Sequence, residues 1–347
     1  MRGEPVSMKK LSAKFIFYLV IVLILATLPS LIRSNYWIGT VNLAIIYSIA
    51  VLGLNIILGL TGQLNIAQAA FWGIGAYTAA LLSTRLGWPF WATFLVSPPV
   101  AAVFGILLGI PTLKLSSHYL ALATVGFCII INLVAHNWKE FTGGVDGIPG
   151  ITPPGFGPLS FSTNATFYYL AMVCLILVTL AQMRIKNSRM GRAFQAIREN
   201  ELAAELSGVN TFKYKVMAFS ICSAYAGLAG QLFAHGTKYV SADTFDLGMS
   251  ILFLAMLLIG GAGSIAGPII GASLLTFIPE WLRFLQGPWA MAIFGLAIII
   301  IMIFMPSGLV GLAGFIGSKI AMPLRRGMQV GTGRNTSRDV GASKGAK

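Results

Sequence analysis

Acidic side chains are scarce in this sequence: ten Asp and Glu stand among 347 residues, against 24 Lys and Arg. Nine of the ten fall outside the apolar segments, so no clustered carboxylate pair sits where intramembrane acid–base chemistry or ion coupling would need one. The exception is Glu280, in FIPEWLRF, three residues before Arg283, a spacing that puts the two on one helix face as an ion pair. Ion coupling is the competing role for it. Cysteine is rarer still. Cys128, Cys174 and Cys222 each lie within an apolar segment without paired spacing, which argues against a disulfide framework or thiolate metal site and leaves small buried hydrophobes. His118, His136 and His235 fall at helix ends or loops and read as solvated or structurally bonded. Missing too are HExxH, a Gly-x-Ser-x-Gly elbow and a P-loop. Without a P-loop the chain cannot hydrolyse ATP by itself, and no metal, catalytic residue or cofactor is expected.

Apolar residues are abundant instead. At 56% hydrophobic, 10% charged and a mean hydropathy of +0.82, the chain has more apolar surface than a soluble fold of this length can hide. The fold class is therefore an all-α polytopic membrane protein. A net charge of +14 then concerns orientation and anionic lipid rather than nucleic acid, because no basic residues are interleaved with aromatics on a soluble module.

Ten spans are expected, at 15–32, 40–60, 66–84, 90–110, 118–136, 167–183, 216–234, 247–263, 269–285 and 288–305. The first is too long for a signal peptide and has no small-x-small site behind it. A basic leader (1–14) precedes it. Between spans five and six, 137–166 is a Gly- and Pro-rich loop, and beyond the tenth span 306–347 is a polar tail, expected to be largely disordered. The long polar interval in the middle of the chain, 184–215, carries Arg184, Lys186, Arg189, Arg192, Arg198, Lys213 and Lys215. Within it AIRENELAAELSG reads as one short helix stopped by Gly208. With both termini inside, the leader, Lys114, the central interval and the tail place 19 of 24 basic residues in the cytoplasm. Only Arg33, Arg85, Lys139, Lys238 and Arg283 remain outside.

Two breaks resemble each other. GLTGQLNIAQAAFWGIGAY (59–77) and LIGGAGSIAGPIIGASLL (258–275) each put a Gly-x-x-Gly interruption after a long apolar helix and a small-residue helix behind it. Close helix packing through small residues is one reading; unwound backbone along a transport pathway is the other. On the second reading Gly62, Gln63, Asn65, Gln68, Gly260, Gly263 and Ser264 line the pathway. Asn65 and Gln68, three residues apart, share a helix face, where they either flank a passage or bond the freed backbone.

The segments GLNIILGLTGQLNIAQAAFWGIGAYTAALL (53–82), GRAFQAIRENELAAELSGVNTFKYKVMAFSICSAYAGLAG (191–230) and LLIGGAGSIAGPIIGA (257–272) together resemble the M-type permease subunit of the bacterial branched-chain amino acid ABC importers. The resemblance runs from about residue 43 to 305. Permeases for urea and short amides look similar, so the substrate is less fixed than the family. It implies a type II importer permease of about ten helices in the inner membrane, with a second homologous permease, two ATP-binding subunits and an extracytoplasmic binding protein as partners. It also implies that the central interval docks on an ATPase through a Glu-Ala-Ala-x-x-x-Gly helix. Ala203, Ala204 and Gly208 hold that spacing, but Leu202 takes the glutamate's place, flanked by Glu201 and Glu205 and preceded by Arg198. An ion-coupled secondary transporter and an intramembrane enzyme are the readings from other classes; activity of the chain alone in liposomes would distinguish them.

Overall fold

The computed structural model describes residues 34–113, 117–156 and 159–282, together with Pro29 and the short stretches 292–296, 298–299 and 308–311. The expected first span, but for Pro29, and most of the tenth lie outside these residues. So do the leader, Lys114, Arg283 and most of the tail.

Helix α1 (Asn35–Leu54) continues into a π-helical turn (Asn55–Thr61) that ends at Gly62, and α2 (Gln68–Arg85) follows an extended link. Next come α3 (Phe90–Thr112) and α4 (Ser117–Asn137), the one-turn α5 (Lys139–Thr142), and α6 (Asn164–Asn187). Two short helices, α7 (Arg189–Glu199) and α8 (Glu201–Leu206), lead to α9 (Thr211–Thr237), then α10 (Leu247–Gly260) and α11 (Ala266–Trp281). Among the described residues, five helical runs are long and apolar enough to cross a membrane: Asn35–Thr61, Phe90–Thr112, Tyr119–Asn137, Asn164–Asn187 and Thr211–Thr237.

Several helices outrun the apolar segments. The second span starts at Asn35 rather than 40, the sixth continues through Arg184 and Lys186 to Asn187, and the seventh begins at Thr211. Polar residues stay helical past the apolar run because water or headgroups satisfy their side chains. The 137–166 loop is also more ordered than its composition implies. It holds α5 and two small ladders, in one of which Ile148–Pro149 pairs antiparallel with Tyr239–Val240.

Helix α9 packs along α3, α2 and α1. Those approaches need glycine: a Cβ on Gly75 would lie 2.3 Å from the Gly227 carbonyl oxygen, and one on Gly230 would lie 2.0 Å from that of Trp72. Small residues let helix backbones come this close where lipid offers no hydrophobic drive. Trp72 fills the adjoining core, its ring 4.7 Å from both Phe233 and Phe245 and 5.4 Å from Phe253. At one end of the bundle Arg85 donates to the Glu140 and Phe141 carbonyls, His136 meets Asp243 at 3.0 Å, and buried His235 bonds Thr93 and the Thr152 carbonyl. The basic interval occupies the opposite end.

Candidate functional site

The basic interval folds as two helices rather than one. Asn200 leaves the helical region (φ −160°, ψ 109°), and its side chain accepts from the Ala203 N–H at 3.0 Å, so it caps α8 and separates it from α7. An Asn side chain can bond the N–H that a new helix start leaves orphaned, so the backbone can break there at little cost, which the Ala, Glu and Leu content on either side conceals. Gly208 follows α8 with φ +85°, a left-handed backbone that glycine takes without strain. The carboxylate of Glu201 pairs with the mostly buried Lys215 ammonium and fastens α8 to the start of α9.

Burial divides the α8 residues into two faces. Ala204 turns inward and is buried within the chain, while Glu201, Ala203, Glu205 and Gly208 are exposed. Leu202 and Leu206, four residues apart, are 66% and 81% exposed, and Phe212 stands exposed at the foot of α9. These apolar side chains were missed because a leucine on a short amphipathic helix reads as its inward face; only the direction in which Ala204 packs reveals otherwise.

The two Gly-x-x-Gly breaks, some 200 residues apart in sequence, meet at this same end. Gly62 (φ +72°) and Gly263 (φ +84°) both take left-handed backbone, and a Cβ on Gly59 would lie 2.6 Å from the Gly263 nitrogen. A Cβ on Gly260 would lie 1.9 Å from the Gly267 carbonyl oxygen, so the second break is as tightly folded. Ser264 caps its own turn, accepting from the Gly267 N–H at 2.9 Å. Gly308 packs on Gly261 from the C-terminal side.

Cations of the basic interval hold both breaks. Arg198 donates to the Gly59 carbonyl, and its stem lies over Gly62. Lys186 donates to the Gly263 carbonyl at 2.7 Å. Carbonyls at the ends of interrupted helices have no partner in their own helix, and a cation completes them while sitting at the negative end of the helix dipole.

Of the three amides after Gly62, two are engaged. Gln68, fully buried, donates to the Ala50 carbonyl at 2.6 Å and accepts from the Cys222 thiol at 3.0 Å. Asn65 accepts from the Ala67 N–H at 3.0 Å and so closes the start of α2. Gln63 is buried with neither amide atom bonded among the described residues, which for an amide in an apolar medium costs roughly 2–7 kcal/mol. At the far end of the bundle Glu280 accepts from the Tyr36 hydroxyl; its expected partner Arg283 lies outside the described residues.

Apolar helices broken at two glycine pairs, with both breaks pinned to a basic interval at one end, define a multi-helix membrane transport subunit. The chain belongs to the family described as the branched-chain amino acid transport system permease component, whose model matches residues 36–302. It is similar to the high-affinity branched-chain amino acid transport system permease protein LivM of Escherichia coli (strain K12). The two are 36% identical over 315 residues, covering 84% of this chain and 74% of that protein. Its identity to the Salmonella typhimurium LivM is 34% over the same shares. The autoinducer 2 import system permease protein LsrC of Escherichia coli O9:H4 is 28% identical over 310 residues, covering 82% of this chain and 85% of LsrC. No solved structure matches. The family's role is transport rather than catalysis, and membership makes the chain a multi-pass protein of the bacterial inner membrane.

Proposed function

We propose that this chain is a permease subunit of an ATP-binding cassette importer and carries branched-chain amino acids inward by alternating access. The family match over 36–302 carries this reading, and the greater identity to LivM than to LsrC favours an amino acid over autoinducer 2. A second homologous permease and two ATP-binding subunits complete the membrane assembly, and an extracytoplasmic binding protein delivers substrate. ATP is bound by the ATP-binding subunits, not by this chain. The test is uptake of leucine, isoleucine or valine by the reconstituted assembly. ATP-dependent uptake is expected; uptake driven by an ion gradient in this chain alone would overturn the reading.

The exposed Leu202, Leu206 and Phe212, beside Glu201, Ala203 and Glu205, form the surface that meets the ATP-binding subunit. Ala204 supports that surface from beneath, and Gly208 ends the helix that carries it. Ten spans with both termini in the cytoplasm remain the proposed topology, with 15–305 as the permease domain. It is supported by the meeting of Lys186 and Arg198 with both breaks at one end, while Arg85, Lys139 and Lys238 gather at the other. All three native cysteines are buried, so single cysteines can report sidedness with little background. In intact spheroplasts Pro153→Cys should react with a membrane-impermeant maleimide and Arg189→Cys should not. Reaction of both from one side removes the topology.

The pathway passes the two breaks, with Gly62, Gly260, Gly263 and Ser264 forming its inner constriction and Gln63 the amide that meets substrate or its water. Asn65 and Gln68 instead hold the broken backbone. Gln63→Leu should therefore keep folded yield and lose uptake, whereas Gln68→Leu should lose both in proportion because it removes the buried bonds that tie α2 to the Ala50 carbonyl and the Cys222 thiol. Equal yield and uptake for Gln68→Leu and the wild type would remove its structural role.

A further inference from the structure

Asn55 opens the π turn with its side chain 1% exposed, and it joins parts of the chain more than 200 residues apart. Its Nδ2 donates to the Ser264 carbonyl at 2.7 Å, and its Oδ1 accepts from the Gly263 N–H at 2.8 Å. A neutral amide is suited to this, since it offers donor and acceptor together where a carboxylate or an ammonium offers one kind only. Gly59, one turn on, presses against the same group: a Cβ there would lie 2.0 Å from Oδ1. The second break therefore cannot slide along the first without losing a bond. Each break is also held from the basic interval by one cation, Gly59 by Arg198 and Gly263 by Lys186.

We propose that Asn55 is the positioning residue that makes the two breaks move as one body when the basic interval moves, so that a single ATP-driven displacement reaches both sides of the pathway. Its burial within the chain keeps it from contact with ATP or the ATP-binding subunit. Asn55 stands at the head of a π turn, a form of helix that is rare and frequent at functional sites. This inference rests on the reading of the chain as an ATP-driven permease.

The test uses the full assembly in liposomes with its binding protein. Asn55→Leu, close to Asn in size but without donor or acceptor, should assemble and hydrolyse ATP near the wild-type rate while uptake per ATP falls roughly tenfold. A cysteine at Ala262 gives a second readout. Its labelling rate should change when a non-hydrolysable ATP analogue locks the ATP-binding subunits, and Asn55→Leu should reduce that change severalfold, leaving what Lys186 transmits by its own bond to Gly263, while a cysteine at Gln195 in α7 still responds in full. Wild-type uptake per ATP with a wild-type response at position 262 would overturn the inference. So would a parallel loss of hydrolysis and uptake, which marks a purely structural residue. If leucine blocks folding, Asn55→Asp keeps the acceptor for the Gly263 N–H and loses the donor. It should then lower uptake per ATP without lowering hydrolysis, and wild-type coupling in that variant overturns the proposal. A wild-type assembly that shows no ATP-dependent uptake would instead bring down the underlying reading, and with it the role of Asn55.

Discussion

Leu206→Glu combined with Leu202→Glu leaves the chain inserted in the membrane but abolishes its co-purification with the ATP-binding subunit, and ATP-driven uptake falls to background. The two leucines stand on the outer face of α8 with most of their surface exposed, and no neighbour among the described residues covers them. Exposed apolar side chains at i and i+4 on a short helix are costly unless a partner covers them. Truncating a side chain that acts as a hot spot at the centre of an interface costs about 2 kcal/mol or more, equivalent to roughly a 30-fold loss of affinity. Glutamate adds a desolvation penalty against an apolar groove. The fold is spared because Ala204, not either leucine, faces the interior. Co-purification at the wild-type level would show that the ATP-binding subunit docks elsewhere. Ala204→Trp behaves differently: added volume beneath α8 disturbs its seat in the chain itself and so lowers folded yield before any question of docking arises.

Gly75→Leu removes folded protein altogether. Its Cβ would lie 2.3 Å from the Gly227 carbonyl oxygen and 2.4 Å from the Gly227 Cα, both backbone atoms that cannot rotate away, so α2 and α9 must separate. Overpacking of this kind costs roughly 1–3 kcal/mol or more where only side chains must give, and a backbone clash lies at the upper end or beyond. Separation also strips Trp72 of its contact with the backbone at Gly230 and loosens its ring stack on Phe233. Gly126→Ala is the matched control. Among the described residues, no atom outside its own helical turn lies within 4 Å of the Cβ it would add on α4, and alanine is the better helix former, so folded yield should hold or rise. Detergent-stable monodisperse protein, measured by fluorescence-detected size exclusion, distinguishes them. A stable Gly75→Leu would mean that the α2–α9 seam is not a close backbone contact.

The apolar segments and the polar interval between them were legible because each is a property of consecutive residues. Mean hydropathy far above that of a soluble chain requires a bilayer, and length then dictates helices. The glycine breaks were also readable, since a Gly-x-x-Gly pair closing a long apolar run and followed by polar residues offers a place to leave the helix, although Gly227 and Gly230 hold the same spacing inside unbroken α9. Helix ends were less so. Arg184 and Lys186 look like loop and are helix, because a charged side chain reaching the headgroup layer does not stop the backbone hydrogen bonding beneath it. Asn200 divides what composition joins, since its cap depends on one side-chain rotamer and not on the average propensity of its neighbours.

By itself the sequence determined that this chain is a polytopic helical membrane protein, where glycines interrupt its apolar runs, and that one interval carries the cytoplasmic type of charge, because hydropathy, glycine and lysine act locally. What those features do to one another was decided only by tertiary structure. The meeting of Gly59 with Gly263, the reach of Arg198 and Lys186 to the two breaks, the inward turn of Ala204 that leaves Leu202 and Leu206 outside, and the double bond of Asn55 to the far break all join residues distant in the chain. Asn55 carries no local signal at all: a lone amide in an apolar helix becomes meaningful only when packing brings it an unpaired carbonyl and an unpaired N–H from the other half of the molecule.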